Sequence, residues 1–203
     1  MKRLFLAAIP LISACATAPE KPRAERMEGE ANFEVMNAKS VIVGKPTLVK
    51  LGIRPLSLSE ARPYMNELFA KLTPELEKTN ITYQMQGNDI VLIIQAHLAL
   101  DAHDNIHDDM KGSLDKFAEI LAAERRNFVE FQGHTSSVGG KGANQIKSMM
   151  MAQKLADYFM DRGVSPHRVF INGMGESRWI SDNRTREGRL LNTRIEVRIT
   201  PLI

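Results

Sequence analysis

A glycine-rich segment between a strand-like run and a helix-like run constrains this 203-residue chain more than any other feature. Residues 133–144 read GHTSSVGGKGAN, and residues 144–162 carry apolar side chains at helical spacing. Such a loop places free N–H groups and a positive dipole at the start of the helix, which can hold an anionic group. A plain flexible connection explains the glycines equally well, because a lone Gly-rich loop is a weak signal. The local pattern leaves both alternatives open.

Two further segments follow this loop along the chain. Residues 173–178 read GMGESR, and residues 192–197 read NTRIEV. Together the three segments resemble the OmpA C-terminal domain, which Pal lipoproteins and MotB-type stators use to hold peptidoglycan. The resemblance covers about residues 80–201 and implies an α/β fold, a two-layer βαβαβ sandwich. The matching positions are Gly133, His134, Thr135, Gly139, Asn144, Ser148, Ala152, Gly163, Val164, Arg168, Gly173, Gly175, Glu176, Ser177, Arg178, Asn183, Gly188, Arg189, Asn192, Arg194, Glu196 and Pro201.

The chain departs from this family at two positions that hold charge. An aspartate normally follows GHT and an arginine normally lies fifteen residues later, where this chain has Ser136 and Met151. The resemblance implies a zwitterionic ligand, the diaminopimelate side chain of the peptidoglycan stem peptide, with an ammonium and a carboxylate. Serine accepts a hydrogen bond without charge, and methionine offers a carboxylate nothing. Loss of two charge-assisted contacts, each about 1.5–3 kcal/mol, predicts that peptidoglycan binding is weak or absent.

The resemblance assigns five positions to the ligand groove: Thr135, Ser136, Asn144, Met151 and Arg194. We expect this groove to be degenerate, with no charge repositioned near the two lost groups. Residual binding through Thr135, Asn144 and backbone amides remains an alternative. Smaller departures are Ala143 in place of an aromatic residue, Thr193 in place of an arginine, and an atypical segment at 96–101.

Apolar spacing along the rest of the chain predicts the order of helices and strands. One apolar face per helix predicts helices at 59–78, 109–123 and 144–162. Runs with strand character lie at 81–86, 89–94, 127–132, 169–171 and 194–200. Two more short strands are expected around a Gly-Lys-Pro turn, at 41–43 and 47–49. The last strand alternates apolar and charged residues, which predicts one buried and one exposed face.

The first fifteen residues resemble a bacterial lipoprotein signal. Lys2 and Arg3 precede a short apolar run, and residues 12–15 read ISAC, like a lipobox. Cys15 is the only cysteine and cannot form an internal disulfide, so we expect it to carry the lipid. The alternative is a buried free cysteine in a cytosolic protein. The expected organisation is a signal peptide at 1–14, a lipidated tether at 15–31, an extension with an amphipathic helix at 32–79, and an OmpA-like domain at 80–203.

Removal of the signal leaves 25 basic and 24 acidic residues. This balance gives no support to a nucleic-acid partner. Several acyl chains at the cysteine would give firm membrane attachment, since one chain alone is marginal. Ala16 follows the cysteine, which among similar Gram-negative lipoproteins favours the outer membrane. We therefore expect a lipid-anchored protein on the periplasmic face of that membrane.

Three consecutive methionines lie on the third predicted helix. Met149 falls within the apolar stripe and is predicted to lie in the core. Met150 and Met151 are candidates for a protein interface, because exposed methionines suit adaptable contacts. The alternative is that these two residues are merely good helix formers.

The histidines give weaker signals. His103 and His107 have a spacing that suits a metal on a helix, but a solvated acidic loop is the favoured interpretation, so no metal site is expected. His134 is expected to be a structural hydrogen-bonding residue rather than a catalyst. No triad order, paired-carboxylate site or nucleotide loop is persuasive, so we expect neither an enzyme nor a cofactor.

The favoured hypothesis is a structural or assembly subunit of a cell-envelope complex, whose partners are the outer membrane and other subunits of that complex. A small lipoprotein of this layout resembles the DotK-type subunits of the Dot/Icm type IVB secretion machine. The alternative is a working peptidoglycan-binding lipoprotein that tethers the outer membrane to the cell wall.

Overall fold

Five strands form one mixed sheet in the computed structural model, which describes residues 38–101, 103 and 105–203. They are β1 (Thr82–Gln86), β2 (Asp89–Gln95), β3 (Asn127–His134), β4 (Val169–Gly173) and β5 (Arg194–Pro201). Their spatial order is β1-β2-β5-β3-β4, in which β3 and β4 run parallel and all other neighbours run antiparallel. The predicted signal peptide, Cys15 and the tether lie outside the described residues.

Of the described helices, two precede β1, two lie between β2 and β3, one follows β3 and one follows β4. They are α1 (Ala38–Lys50), α2 (Leu58–Leu76), α3 (Ala96–Ala99), α4 (Asp108–Ala123), α5 (Lys141–Met160) and α6 (Arg186–Asn192), with a 3-10 turn at Pro166–Arg168. The three predicted helices and five predicted sheet strands are confirmed to within a few residues at each end. Within the described ranges, no helix is both long enough and apolar enough to cross a membrane.

One face of the sheet forms the core together with α2, α4 and α5. Alternation along β5 places Ile195, Val197 and Ile199 on this face, where they align with apolar residues of β2 and β3. Helix α2 comes from the segment predicted as an extension, yet its buried face belongs to the same core cluster. The expected two-layer α/β sandwich is confirmed, and α2 contributes to it.

The two short strands predicted within 41–49 are wrong, because this segment lies in α1. Leu48 is fully buried there in a small cluster with Phe128. Gly44 lets the helix approach closely, since an added Cβ would lie 2.9 Å from the ring of Phe128. Pro46 inside the helix removes one hydrogen bond, so local preference opposes this conformation. Packing against the sheet outweighs that preference, as it often does for short β-branched runs.

The opposite face of β5 is charged and, against expectation, buried. Arg194, Glu196 and Arg198 are each 5% exposed or less. Arg194 Nη2 lies 2.6 Å from Glu196 Oε1, and Arg198 Nη1 donates to Asp89 Oδ2 at 2.7 Å. The predicted alternation of apolar and charged residues along β5 is correct. The prediction that the charged face is exposed is wrong, because each guanidinium has a carboxylate partner that compensates for its burial.

Candidate functional site

Helix α5 lies almost in backbone contact with the ends of β3 and β4. A Cβ added to Gly133 would stand 1.9 Å from the carbonyl oxygen of Ser148, and one added to Gly173 would stand 2.7 Å from the amide of Met149. Gly133 and Gly173 are partners in the sheet. The Ser148 hydroxyl then accepts a hydrogen bond from the Gly175 amide at 2.8 Å. The glycines and the serine of the motif therefore seat the helix on the strand ends.

Asparagine side chains fasten the loop after β3 to the loop after β4. Asn192 Oδ1 accepts from the backbone amides of Ile180 and Ser181 at 2.8 and 2.9 Å. Asn192 Nδ2 donates to Asn183 Oδ1 at 2.9 Å, and the same oxygen accepts from the Ser137 amide at 3.2 Å. The asparagines of the motif thus hold two irregular loops at a defined separation.

A cavity of about 270 Å³ lies beside these fastened loops, between α5 and α6. Three of its lining residues are cationic, two are apolar, and none is acidic. The lining residues are His97, Ser136, Val138, Lys147, Arg186, Arg189, Leu190 and Thr193. The cavity is therefore positively charged, which is the opposite of a site built for an ammonium group.

Ser136 lines this cavity. Its backbone amide donates to the Thr193 hydroxyl at 3.2 Å, and that hydroxyl donates to the Arg189 carbonyl oxygen at 2.9 Å. Thr193 stands where the family resemblance implies an arginine. Ser136 and Thr193, which both depart from the family pattern, therefore contact each other at the cavity wall.

Three of the other predicted groove residues are buried parts of the scaffold. Thr135, Asn144 and Arg194 are 2–4% exposed and do not line the cavity. Asn144 Nδ2 donates to Glu176 Oε2 at 2.6 Å, and Arg194 serves its ion pair with Glu196. Asn144 and Arg194 therefore spend their polar atoms on partners within the fold, whereas the buried Thr135 hydroxyl has no hydrogen-bond partner among the described residues, and the assignment of all three to the ligand groove stays a prediction.

Met151, the fifth predicted groove residue, is 3% exposed and belongs to the main core cluster, so it is not a surface interface. Met149 is 40% exposed and is not in the core, which corrects the prediction for this residue as well. The phase of α5 is set by Ser148 on the strand ends. At about 100° per residue, Met151 points within about 60° of Ser148, and Met149 points about 100° away. Met150 is 59% exposed and stays an interface candidate.

Positive charge is repositioned near the two lost groups, contrary to expectation. Lys147 lies one helical turn before Met151 on α5, and Arg186 and Arg189 approach from α6. Arg189 Nη1 donates to the carbonyl oxygens of Asn183 and Arg184 at 2.9 and 3.0 Å, which ties its guanidinium to the loop. The four-residue spacing from Lys147 to Met151 was the available sequence signal, because such residues are neighbours on a helix.

His134 lies behind the cavity wall, at the end of β3. Burial, with smaller effects of the Arg194 and Arg178 charges, lowers the pKa of its imidazole to about 2. Its Nε2 lies 3.7 Å from Glu196 Oε1, and neither ring nitrogen has a hydrogen-bond partner in the part of the chain that the structure describes. His134 is therefore a neutral buried residue, and the hydrogen-bonding role predicted for it is wrong.

The segment around His103 and His107 forms the approach to α4. Asp101 Oδ1 accepts from the backbone amides of His103 and Asn105 at 2.8 and 2.9 Å. His107 is exposed and is the residue that precedes the first turn of α4. No group of three metal-ligating side chains is present among the residues that the structure describes.

Residues 103–193 match the sequence profile of the OmpA family. The chain is 27% identical over 140 residues to the lipoprotein YiaD of Escherichia coli, covering 68% of this chain and 64% of that one. It is 33% identical over 94 residues to the outer-membrane lipoprotein YfiB of Pseudomonas aeruginosa, covering 46% and 56%. The chain thus spans less than two thirds of the length of either relative.

The fold is also that of a solved relative of low sequence identity. The structure of a MotB-like protein from Desulfovibrio vulgaris superposes with a TM-score of 0.61 at 19% identity, covering 71% of this chain and 93% of that one. With the match of residues 103–193 to the OmpA family, this likeness shows that the fold is that of an OmpA-like domain.

Proposed function

We propose that this chain is an outer-membrane lipoprotein, anchored through a lipid on Cys15 at the periplasmic face, and a structural subunit of a cell-envelope complex. The signal-like first fifteen residues and the similarity to two lipoproteins support the anchor. The layout of one short tether and one domain supports a role in assembly. Membership of a Dot/Icm-like type IVB secretion machine is part of this proposal and rests on that layout alone.

One observation carries the proposed departure from the family's activity. The cavity has no acidic side chain among its lining residues, Ser136 is neutral, and Met151 is buried in the core. The ammonium of a zwitterionic ligand would meet cations instead of a carboxylate, and like charges within one small cavity oppose binding. The domain is therefore expected to hold the free-amine stem peptide more weakly than a Pal-type domain does.

A second candidate function, contact with the cell wall, is favoured by the same cavity. Lys147, Arg186 and Arg189 can all donate to a carboxylate, and an arginine can do so with two parallel bonds. In this function the domain still ties the outer membrane to the wall, but through the carboxylate alone.

Calorimetric titration of the full-length protein in detergent with a free-amine stem tripeptide tests the departure from the family. We expect affinity at least about tenfold below that of a Pal-type lipoprotein, because one charge-assisted contact is lost. Ser136→Asp should raise the affinity by restoring a carboxylate at the cavity wall. Affinity equal to that of the Pal-type control would refute the proposed departure.

Co-purification from membranes tests the assembly role. We expect the tagged lipoprotein to elute with other envelope proteins, and we expect Cys15→Ala to release it from the membrane fraction. A protein that elutes alone, or that remains in the membrane without its cysteine, contradicts this part of the proposal.

A further inference from the structure

We infer that the cavity around Lys147, Arg186 and Arg189 binds a peptide carboxylate whose neighbouring side-chain amine is acylated. This inference deepens the wall-contact candidate proposed above and rests on it. It concerns the chemical form of the ligand that the cavity selects, and not whether the chain is anchored or assembled.

The charge of the cavity carries the first step. Its three cations come from two separate helices, since Lys147 projects from α5 while Arg186 and Arg189 project from α6. Cations that converge from two elements on one cavity define a site for an anion. Planar guanidinium groups match a carboxylate in geometry as well as in charge.

The two carboxylates of the loop after β4 are engaged elsewhere. Glu176 accepts from Asn144 at 2.6 Å, and Asp182 forms an ion pair with Arg184 at 2.8 Å. Neither acidic residue lines the cavity. An ammonium group on the ligand would therefore face three cations without a compensating carboxylate at the cavity wall.

Acylation of the amine removes this repulsion. The resulting amide is neutral, and its N–H can donate to the hydroxyl oxygen of Ser136. Exposed apolar side chains beside the cations, Val138 and Leu190, can cover the aliphatic part of such a ligand. Charge, hydrogen bonding and apolar contact all favour the acylated form over the free amine.

The size of the cavity suits one side chain. A volume of about 270 Å³ lies just below the range of drug-sized ligand pockets. It accommodates a carboxylate with its short aliphatic stem and one amide. In a stem peptide, an acylated side-chain amine is the form produced by cross-linking.

Two synthetic stem tripeptides that end in diaminopimelate provide the test, one with a free side-chain amine and one with that amine acetylated. Titrated into the full-length protein in detergent, the acetylated peptide should bind at least about tenfold more tightly, because like-charge juxtaposition is costly. Ser136→Asp should reverse the preference in favour of the free amine.

Charge reversal on the cavity wall identifies the site. Lys147→Glu and Arg186→Glu change exposed side chains and should each weaken the acetylated peptide by about tenfold or more. Lys154→Glu is the matched control, because Lys154 is exposed on the same helix and does not line the cavity. Thermal unfolding of each variant confirms that it is folded.

Three results would overturn the inference: equal affinity for the two peptides, tighter binding of the free amine, or no binding of either. An equal loss in the Lys154 and Lys147 variants would do so too, since it would show a general charge effect. These results differ from failure of the proposed function. The proposed function fails if the free-amine peptide binds this protein as tightly as it binds a Pal-type lipoprotein, or if co-purification finds no partner. The present inference is tested by comparing the affinities of the two peptides for this one protein.

Discussion

Gly133 of β3 lies so close under Ser148 of α5 that a Cβ on the glycine would stand 1.9 Å from the serine carbonyl oxygen. Gly133→Ala must therefore displace backbone, and we expect it to lower the free energy of unfolding by about 3 kcal/mol or more. Urea-induced unfolding measures this loss. Gly142→Ala is the control, because nothing lies within 4 Å of an added Cβ and alanine favours the helix. Equal stability of the two variants would contradict the close contact.

The buried imidazole of His134 should link stability to pH. Its pKa of about 2 lies far below the value near 6.5 that the unfolded chain has. Between these values the unfolded chain binds a proton that the folded chain does not, so stability falls as pH is lowered through about 6.5. His134→Gln should reduce the fall in unfolding free energy between pH 7 and pH 5 by about 2 kcal/mol.

Chemical denaturation at a series of pH values checks the His134 prediction. This window lies above the usual range of carboxylate titration, so the histidine contribution can be separated. His167→Gln serves as the control, because His167 is exposed. Identical pH dependence in wild type and His134→Gln would show that folding does not lower the pKa of this imidazole.

Substitution by arginine should destabilise the domain at Met151 but not at the adjacent Met150 of α5. Met151→Arg places a charge in the core and should cost about 3 kcal/mol of stability. Met150→Arg changes a side chain that is 59% exposed and should stay within about 0.5 kcal/mol of wild type. Thermal unfolding of the pair gives the comparison. If Met151→Arg is tolerated, its side chain faces the groove as the family pattern implies.

Arg168 connects three parts of the fold through a buried network. Its guanidinium donates to Asn127 Oδ1 at 2.7 Å and to the Leu121 carbonyl oxygen, while Asn127 Nδ2 donates to the Tyr64 hydroxyl at 2.8 Å. Arg168→Met would leave buried acceptors without donors, so we expect a loss of about 2–3 kcal/mol. Denaturant unfolding should show no comparable loss for Arg125→Met, whose side chain is exposed.

The sequence predicted the sheet and three long helices because their apolar spacing agrees with their burial. It failed at α1, where the β-branched run ending at Val43 favours a strand locally. The contact of Gly44 with Phe128 joins residues far apart in the sequence, and no local pattern reports it. It failed again on the charged face of β5, because pairing of Arg198 with Asp89 depends on the register between strands.

The site was predictable in its place and not in its charges. Ser136, which directly follows the GHT motif, lies at the cavity wall. Comparison with the family at fixed motif positions showed that the arginine expected at position 151 is replaced by Met151. It could not show that Lys147 lies one turn earlier on α5, or that α6 brings Arg186 and Arg189 to the cavity from about forty residues further along.

The asparagine bonds around Asn192 have a consequence for the energetics of any ligand. They lock irregular backbone into place before a ligand arrives, much as sheet hydrogen bonds would. Loops that must order on binding lose conformational entropy at that moment, which lowers affinity. In this domain that entropy is already lost when the chain folds. A small charged cavity can therefore discriminate between ligands with few contacts, because its walls do not have to assemble around them.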